Sequence, residues 1–179
     1  MEKQYEQAMG ADALLNRRLN ILLVDDDDIC LFINRRVLEL SGYCSSTNAA
    51  SNGKRALEIL NSTTTGAIPV PDIIFLDLNM PLMNGIAFLE AYQDLDYPFK
   101  DRIAIVLLTS SLLDTDRIYA MSLGVSHYLQ KPFTLAAFHS TIQVLYKPIQ
   151  PVPVLDTNIR REDARTFGTR IGCDQHLKP

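Results

Sequence analysis

The chain has 179 residues, 47% of them hydrophobic and 21% charged, with a formal net charge of −4. That length supports one compact domain with a core and short extensions, and the apolar share fits a globular chain rather than a disordered or membrane-embedded one. The acidic balance weighs against a nucleic-acid binder, which needs a basic patch to neutralise phosphates.

Cys30, Cys44 and Cys173 are too scattered for a CxxC metal pair or a disulfide framework. No apolar run approaches the length of a membrane span, and the opening twenty residues lack the apolar core of a secretory signal. A cytoplasmic location is expected.

Residues 1–18 read as an N-terminal extension. Residues 20–24 (NILLV) form a buried-strand candidate that runs into four aspartates, Asp25 to Asp28. Ile29, Phe32, Ile33, Val37 and Leu40 then recur at helical spacing, with Ser41-Gly42 as a stop signal. Asp28 is expected to cap that helix, Asp27 to be solvated and Cys30 to pack on its core side. A weaker strand over residues 43–49 precedes Asn52-Gly53 and a helix carrying Ala56, Leu57 and Leu60.

Residues 61–71, rich in Thr, Gly and Pro, read as a surface loop. Residues 73–76 (IIFL) are a second strongly apolar strand, ending at Asp77. A turn with Pro81 and Asn84-Gly85 leads to a helix with Ile86, Phe88, Leu89 and Tyr92. A third apolar strand, 103–108, ends in Thr109-Ser110-Ser111. A helix over 114–123 stops at Gly124, a short strand over 126–129 precedes Lys131-Pro132, and a last helix spans 134–146. Residues 148–179 are expected to be a proline-rich linker and a disordered tail, too poor in apolar residues for a core of their own.

Strands that are apolar along their whole length indicate a parallel sheet covered on both faces. In such open sheets ligands bind at the carboxyl ends of the strands. Those ends deliver Asp25, Asp26, Asp77, Thr109 and Lys131 to one edge. Three converging carboxylates repel unless a cation neutralises them, and their oxygens suit a hard divalent ion such as Mg2+ or Mn2+. The backbone carbonyl of Asn79 could complete the protein's share of the ligands. With the charge neutralised, Asp77 becomes a nucleophile toward phosphorus, with the Lys131 ammonium and the Thr109 hydroxyl available to phosphoryl oxygens. The bland alternative for Asp77 and Lys131 is a structural salt bridge, which would leave Asp25, Asp26 and Thr109 without a reason to converge. His127, His139 and His176 have no mutual spacing that suggests a metal site.

The segments ILLVDDDDIC, IIFLDLNMPLMNG, IVLLTSS and YLQKPF, in this order, resemble the marks of response-regulator receiver domains of two-component signalling. The resemblance covers residues 19–147. It implies an α/β, flavodoxin-like, doubly wound five-stranded parallel sheet of order 2-1-3-4-5 with helices on both faces. It also implies Asp77 as phospho-acceptor, Asp25 and Asp26 as the acidic metal pair, Thr109 and Lys131 as phosphate-binding residues and Tyr128 as an aromatic switch. By the same resemblance the Lys131-Pro132 bond is cis, Asn79 and Ser111 tune the phosphate's lifetime, and the donor is a sensor histidine kinase or a histidine phosphotransfer protein.

With no DNA-binding domain expected in the tail, a single-domain regulator is anticipated, acting through a downstream protein partner or by passing the phosphate on. Two alternatives stay open. One is a phosphorylation-independent docking module with a receiver-like fold. The other is a phosphohydrolase, disfavoured because the position two residues past Asp77 holds Asn79 rather than a second acid.

Overall fold

The computed structural model describes residues 18–110 and 114–146. The expected N-terminal extension, the linker and tail, and Ser111 therefore lie outside the described residues, apart from Arg18. Five strands and five helices alternate: β1 (Leu19–Val24), α1 (Asp28–Ser41), β2 (Cys44–Ala50), α2 (Gly53–Thr64), β3 (Ile73–Asp77), α3 (Gly85–Asp94), β4 (Ala104–Thr109), α4 (Asp114–Ser122), β5 (His127–Gln130) and α5 (Leu135–Tyr146). The strands form one parallel sheet in the order β2-β1-β3-β4-β5.

This order follows from right-handed crossovers. The chain steps outward from β1 to β2 and then back across β3, β4 and β5. The helix of the first step must therefore cover the opposite face from the helices of the later steps. The two cores agree. Leu22, Val24, Ile74, Leu76, Ile105 and Leu107 face Ala56, Leu60, Phe88, Leu89 and Ala120 from α2, α3 and α4. Their sequence neighbours Ile21, Leu23, Ile73, Phe75, Val106 and Leu108 face Leu38 of α1 and Phe138 and Ile142 of α5. Both parities of each central strand are buried, which is why these strands read as unbroken apolar runs.

Several local expectations shift. Asp27, not Asp28, caps α1: its carboxylate accepts from the backbone N–H of Ile29 and of Cys30, and Asp28 is the first helical residue. The Cys30 thiol is only partly buried and donates to the same carboxylate at 3.3 Å, so it does not pack in the core. The apolar residues that mark α1 are largely not the ones it buries. Asn34 and Leu38 face the sheet, whereas Ile29 (71%) and Phe32 (72%) are exposed.

Residues 61–64, expected in a loop, extend α2. Their hydroxyls bond back to carbonyls three or four residues earlier, and Thr63 also meets the buried Tyr97 hydroxyl, so the helix continues without apolar side chains. Gly42 and Gly124 end α1 and α4 with positive φ, as read from the sequence.

Gly85 has a different reason to be glycine. It opens α3 directly against the end of β3, its N–H donating to the Leu78 carbonyl. A Cβ there would meet the Asp77 carbonyl oxygen and would lie 2.8 Å from Leu78 Cα. Both obstacles are backbone. Gly85→Ala is expected to lower stability by about 1–3 kcal/mol through overpacking, read as a lower urea midpoint at unchanged slope; an unchanged midpoint would show that the loop yields freely.

Candidate functional site at the carboxyl edge of the sheet

β1 and β3 are neighbours, and the connections diverge on either side of β1, which makes this edge a topological switch point. Asp25 immediately follows β1, and Asp77 ends β3. Asp25 is fully buried. Its N–H donates to the Ala50 carbonyl, and its Oδ1 accepts from the Asp27 N–H at 3.0 Å. Asp77 is buried as well, while Asp26 is exposed. One oxygen from each of the three carboxylates lies within 4.8 Å of the others.

Lys131 enters from the turn after β5. Its Nζ stands 2.9 Å from Asp25 Oδ2 and 2.9 Å from Asp77 Oδ2. Burial alone would pull the ammonium's pKa down, yet its bonds to Asp25 and Asp77 outweigh that and hold it above the ordinary 10.5. The lysine therefore stays charged throughout the physiological range. Burial pushes the Asp25 carboxyl above its ordinary 3.8, against the opposing pull of Lys131 and the Asp27 N–H. At the surface, by contrast, the cap bonds from Cys30 and Ile29 hold Asp27 below its ordinary value.

The donor set is all oxygen: three carboxylates against a single ammonium, a formal excess of two negative charges. Asp25 Oδ2 and Asp77 Oδ2 share the one ammonium, each at 2.9 Å. This is the chemistry of a hard divalent-cation site, and the residues present fit one. Among the described residues it is the only grouping of this kind, and His127 and His139 form no part of it.

Thr109 ends β4 beside Gln130 of β5, half-buried at the same edge, and its carbonyl accepts from the Lys131 N–H at 2.9 Å. The Lys131-Pro132 peptide is cis, as the resemblance implied. Tyr128 lies in β5 opposite Leu107, partly exposed and stacked with His127 at 5.7 Å between ring centroids. Asn79 lies two residues past Asp77, exposed between the buried Leu78 and Met80. The edge therefore gathers Asp25, Asp26, Asp77, Thr109 and Lys131, with Tyr128 farther back along β5. Sequence reasoning missed Asn34, which is buried in α1 with its Oδ1 accepting from the Phe133 N–H just past the Lys131 turn. Nothing in the sequence marked it, because most of the apolar residues of α1 lie on the face that turns away from the sheet.

The raised Asp25 pKa fixes a sign. The folded state binds the Asp25 proton more tightly than the unfolded state, so stability falls as pH rises from 3.8 through the folded value. With a chelator present, urea unfolding of wild type against Asp25→Asn should show the wild type losing ground over that window; a difference independent of pH would contradict the assignment.

Comparisons with known proteins agree with this geometry. The family described as "Response regulator receiver domain" matches residues 21–143. The transcriptional regulatory protein PrrA of Mycobacterium leprae is 37% identical over 127 residues, covering 71% of this chain and 49% of that protein. CpxR of Escherichia coli, also described as a transcriptional regulatory protein, is 32% identical over 113 residues, covering 63% and 43%. The chain thus matches about half the length of these curated relatives. Among solved structures, a two-component response regulator from Cytophaga hutchinsonii superposes with a TM-score of 0.65 at 30% identity, covering 72% of this chain and 98% of that one. One from Legionella pneumophila gives 0.60 at 26% identity, covering 72% and 98%. Fold, carboxylate cluster and sequence match converge, and the chain belongs to the response-regulator receiver family.

Proposed function

We propose that Asp77 accepts a phosphoryl group from a phosphohistidine, carried by a sensor histidine kinase or a histidine phosphotransfer protein. Magnesium, or a similar divalent ion such as manganese, would be held by Asp25, Asp26, Asp77 and the backbone carbonyl of Asn79. The observation that carries this reading is the placement of Asp77. Its carboxylate is buried at the switch point, 2.9 Å from Lys131 Nζ and within reach of the same ion as Asp25 and Asp26.

In the transfer, an Asp77 oxygen forms the new bond to phosphorus while the bond from phosphorus to the donor's imidazole nitrogen breaks. The electron pair leaves with that nitrogen. The ion, when bound, neutralises the carboxylates and stabilises charge on the equatorial oxygens. Lys131 holds one phosphoryl oxygen, giving up its ion pair to Asp77 as that carboxylate becomes an acyl phosphate. The Thr109 hydroxyl donates to another.

Movement of Thr109 toward the phosphate would open space for Tyr128 to turn inward, a local charge change biasing a two-state element. Asn79 and Ser111 are assigned to tuning the phosphate's lifetime. Receiver domains catalyse only their own aspartyl phosphorylation and dephosphorylation, and the fold and cluster are consistent with that role.

Two exposed apolar faces support protein partners on both sides of the reaction. Ile29 and Phe32 lie on the first turns of α1, directly after the acidic pair, where a donor protein could dock while its histidine reaches Asp77. Ile118 and Met121, three residues apart on α4, offer a second surface for a downstream partner. Among the described residues, no helix is long and apolar enough to cross a membrane.

Acetyl phosphate with magnesium should add one phosphoryl group to the wild type by intact mass and none to Asp77→Asn; a chelator should abolish the addition, and Lys131→Ala should slow it at least roughly tenfold. Uptake by Asp77→Asn equal to wild type would overturn the assignment of Asp77. No uptake by the wild type would favour the phosphorylation-independent docking module.

A further inference from the structure

Only two side chains of α1 are fully buried, Leu38 and Asn34. Leu38 packs in the core beneath the helix. Asn34 has one hydrogen bond: its Oδ1 accepts from the Phe133 N–H at 3.3 Å, across 99 residues of sequence. Its Nδ2 is buried and has no partner among the described residues. Burying that amide leaves its own donor orphaned, so Asn34 is unfavourable as packing alone, whereas a leucine here would instead leave the Phe133 N–H without its acceptor. What it supplies is the carbonyl.

That carbonyl acts on the turn that delivers Lys131. The turn has few backbone donors, because Pro132 has no N–H. The Lys131 N–H is taken by the Thr109 carbonyl at 2.9 Å, which fixes the entry to β4. The next donor along the chain, the Phe133 N–H, goes to Asn34, which fixes the exit to α1. The Phe133 ring stacks on Phe75 at 4.9 Å, and Phe75 stands two residues before Asp77 in β3. The base of the lysine is thus held on both sides of the proline, and α1 is the helix that directly follows Asp25 and Asp26. A four-carbon stem is flexible, so the place of its ammonium depends on where its backbone is set.

We propose that Asn34 is a positioning residue for Lys131. Through the Phe133 amide it holds the Lys131-Pro132-Phe133 turn so that the ammonium lies between Asp25 and Asp77, and it ties the lysine to the helix that follows the acidic pair. This rests on the reading of Lys131 as the group that holds a phosphoryl oxygen.

The test is the rate of phosphorylation by acetyl phosphate with magnesium in four proteins: wild type, Asn34→Leu, Lys131→Ala and the double variant, with urea unfolding measured on each. Asn34→Leu should slow uptake roughly tenfold, as small misplacements of a reacting group do, and should add no slowing once Lys131 is gone. Equal slowing in both backgrounds, or none in either, overturns the role of Asn34. A Lys131→Ala variant as fast as wild type, or a wild type that takes up no phosphate, instead strikes the reading of the site itself. If Asn34→Leu does not fold, hydrogen exchange of the Phe133 amide in the wild type decides. Slow exchange supports the bond, and exchange at the rate of an unprotected amide overturns it.

Discussion

The ammonium of Lys131 sits between two buried carboxylates, Asp25 and Asp77, that the sheet forces together. At separations within 4.8 Å, two carboxylates repel by on the order of 3–4 kcal/mol at an effective dielectric of about 20. The single lysine offsets part of that repulsion, and Asp26 adds a third negative group at the rim. A cluster of this kind persists only because something stiffer fixes the backbone beneath it. Burial of both faces of β1, β3 and β4 does so: the strands cannot slip by one residue without exchanging one apolar core for the other. The strand ends, and the aspartates on them, are set by packing rather than by their own attraction.

The same constraint explains why the site has excess negative charge. A structural ion pair would be satisfied by one carboxylate and one lysine, and buried pairs contribute little net stability even then. Three carboxylates against one ammonium leave the site short of positive charge, which a divalent cation and, in turn, an electrophilic phosphoryl group can exploit. The raised pKa of Asp25 reflects the same tension, burial opposing the charge that the neighbouring lysine and backbone amide support. Parts that hold the site serve no catalytic role themselves. Gly85 lets α3 start against the Asp77 backbone, and Asn84 caps that helix through the Ala87 N–H.

Much of this was legible in the residues, for identifiable reasons. The central strands are buried on both faces, so their apolar runs are unambiguous, and the polar residue ending each run marks the sheet edge. The five edge residues that structure brings together, Asp25, Asp26, Asp77, Thr109 and Lys131, follow from that pattern, and their candidate chemistry from the residue types; the Tyr128 switch and the tuning role of Asn79 and Ser111 come only from the family resemblance. What escaped reading depended on tertiary placement. Four consecutive aspartates do not say which one caps α1, because the helix start depends on where β1 releases the chain. The apolar residues of α1 do not say which side faces the sheet, and the buried side includes Asn34 while Ile29 and Phe32 face outward. The Thr-rich end of α2 looks like a loop until its hydroxyls are seen to bond back along the helix.

The central claim is that Asp77, set among Asp25, Asp26 and Lys131, is built to carry a phosphoryl group beside a divalent cation. Binding of beryllofluoride, which mimics an aspartyl phosphate, tests it without any donor protein. Fluorine NMR of the wild type with magnesium should show one set of bound fluoride signals, lost on chelation and absent from Asp77→Asn. Bound signals that persist in Asp77→Asn, or a wild type that binds none with magnesium in excess, would contradict the account.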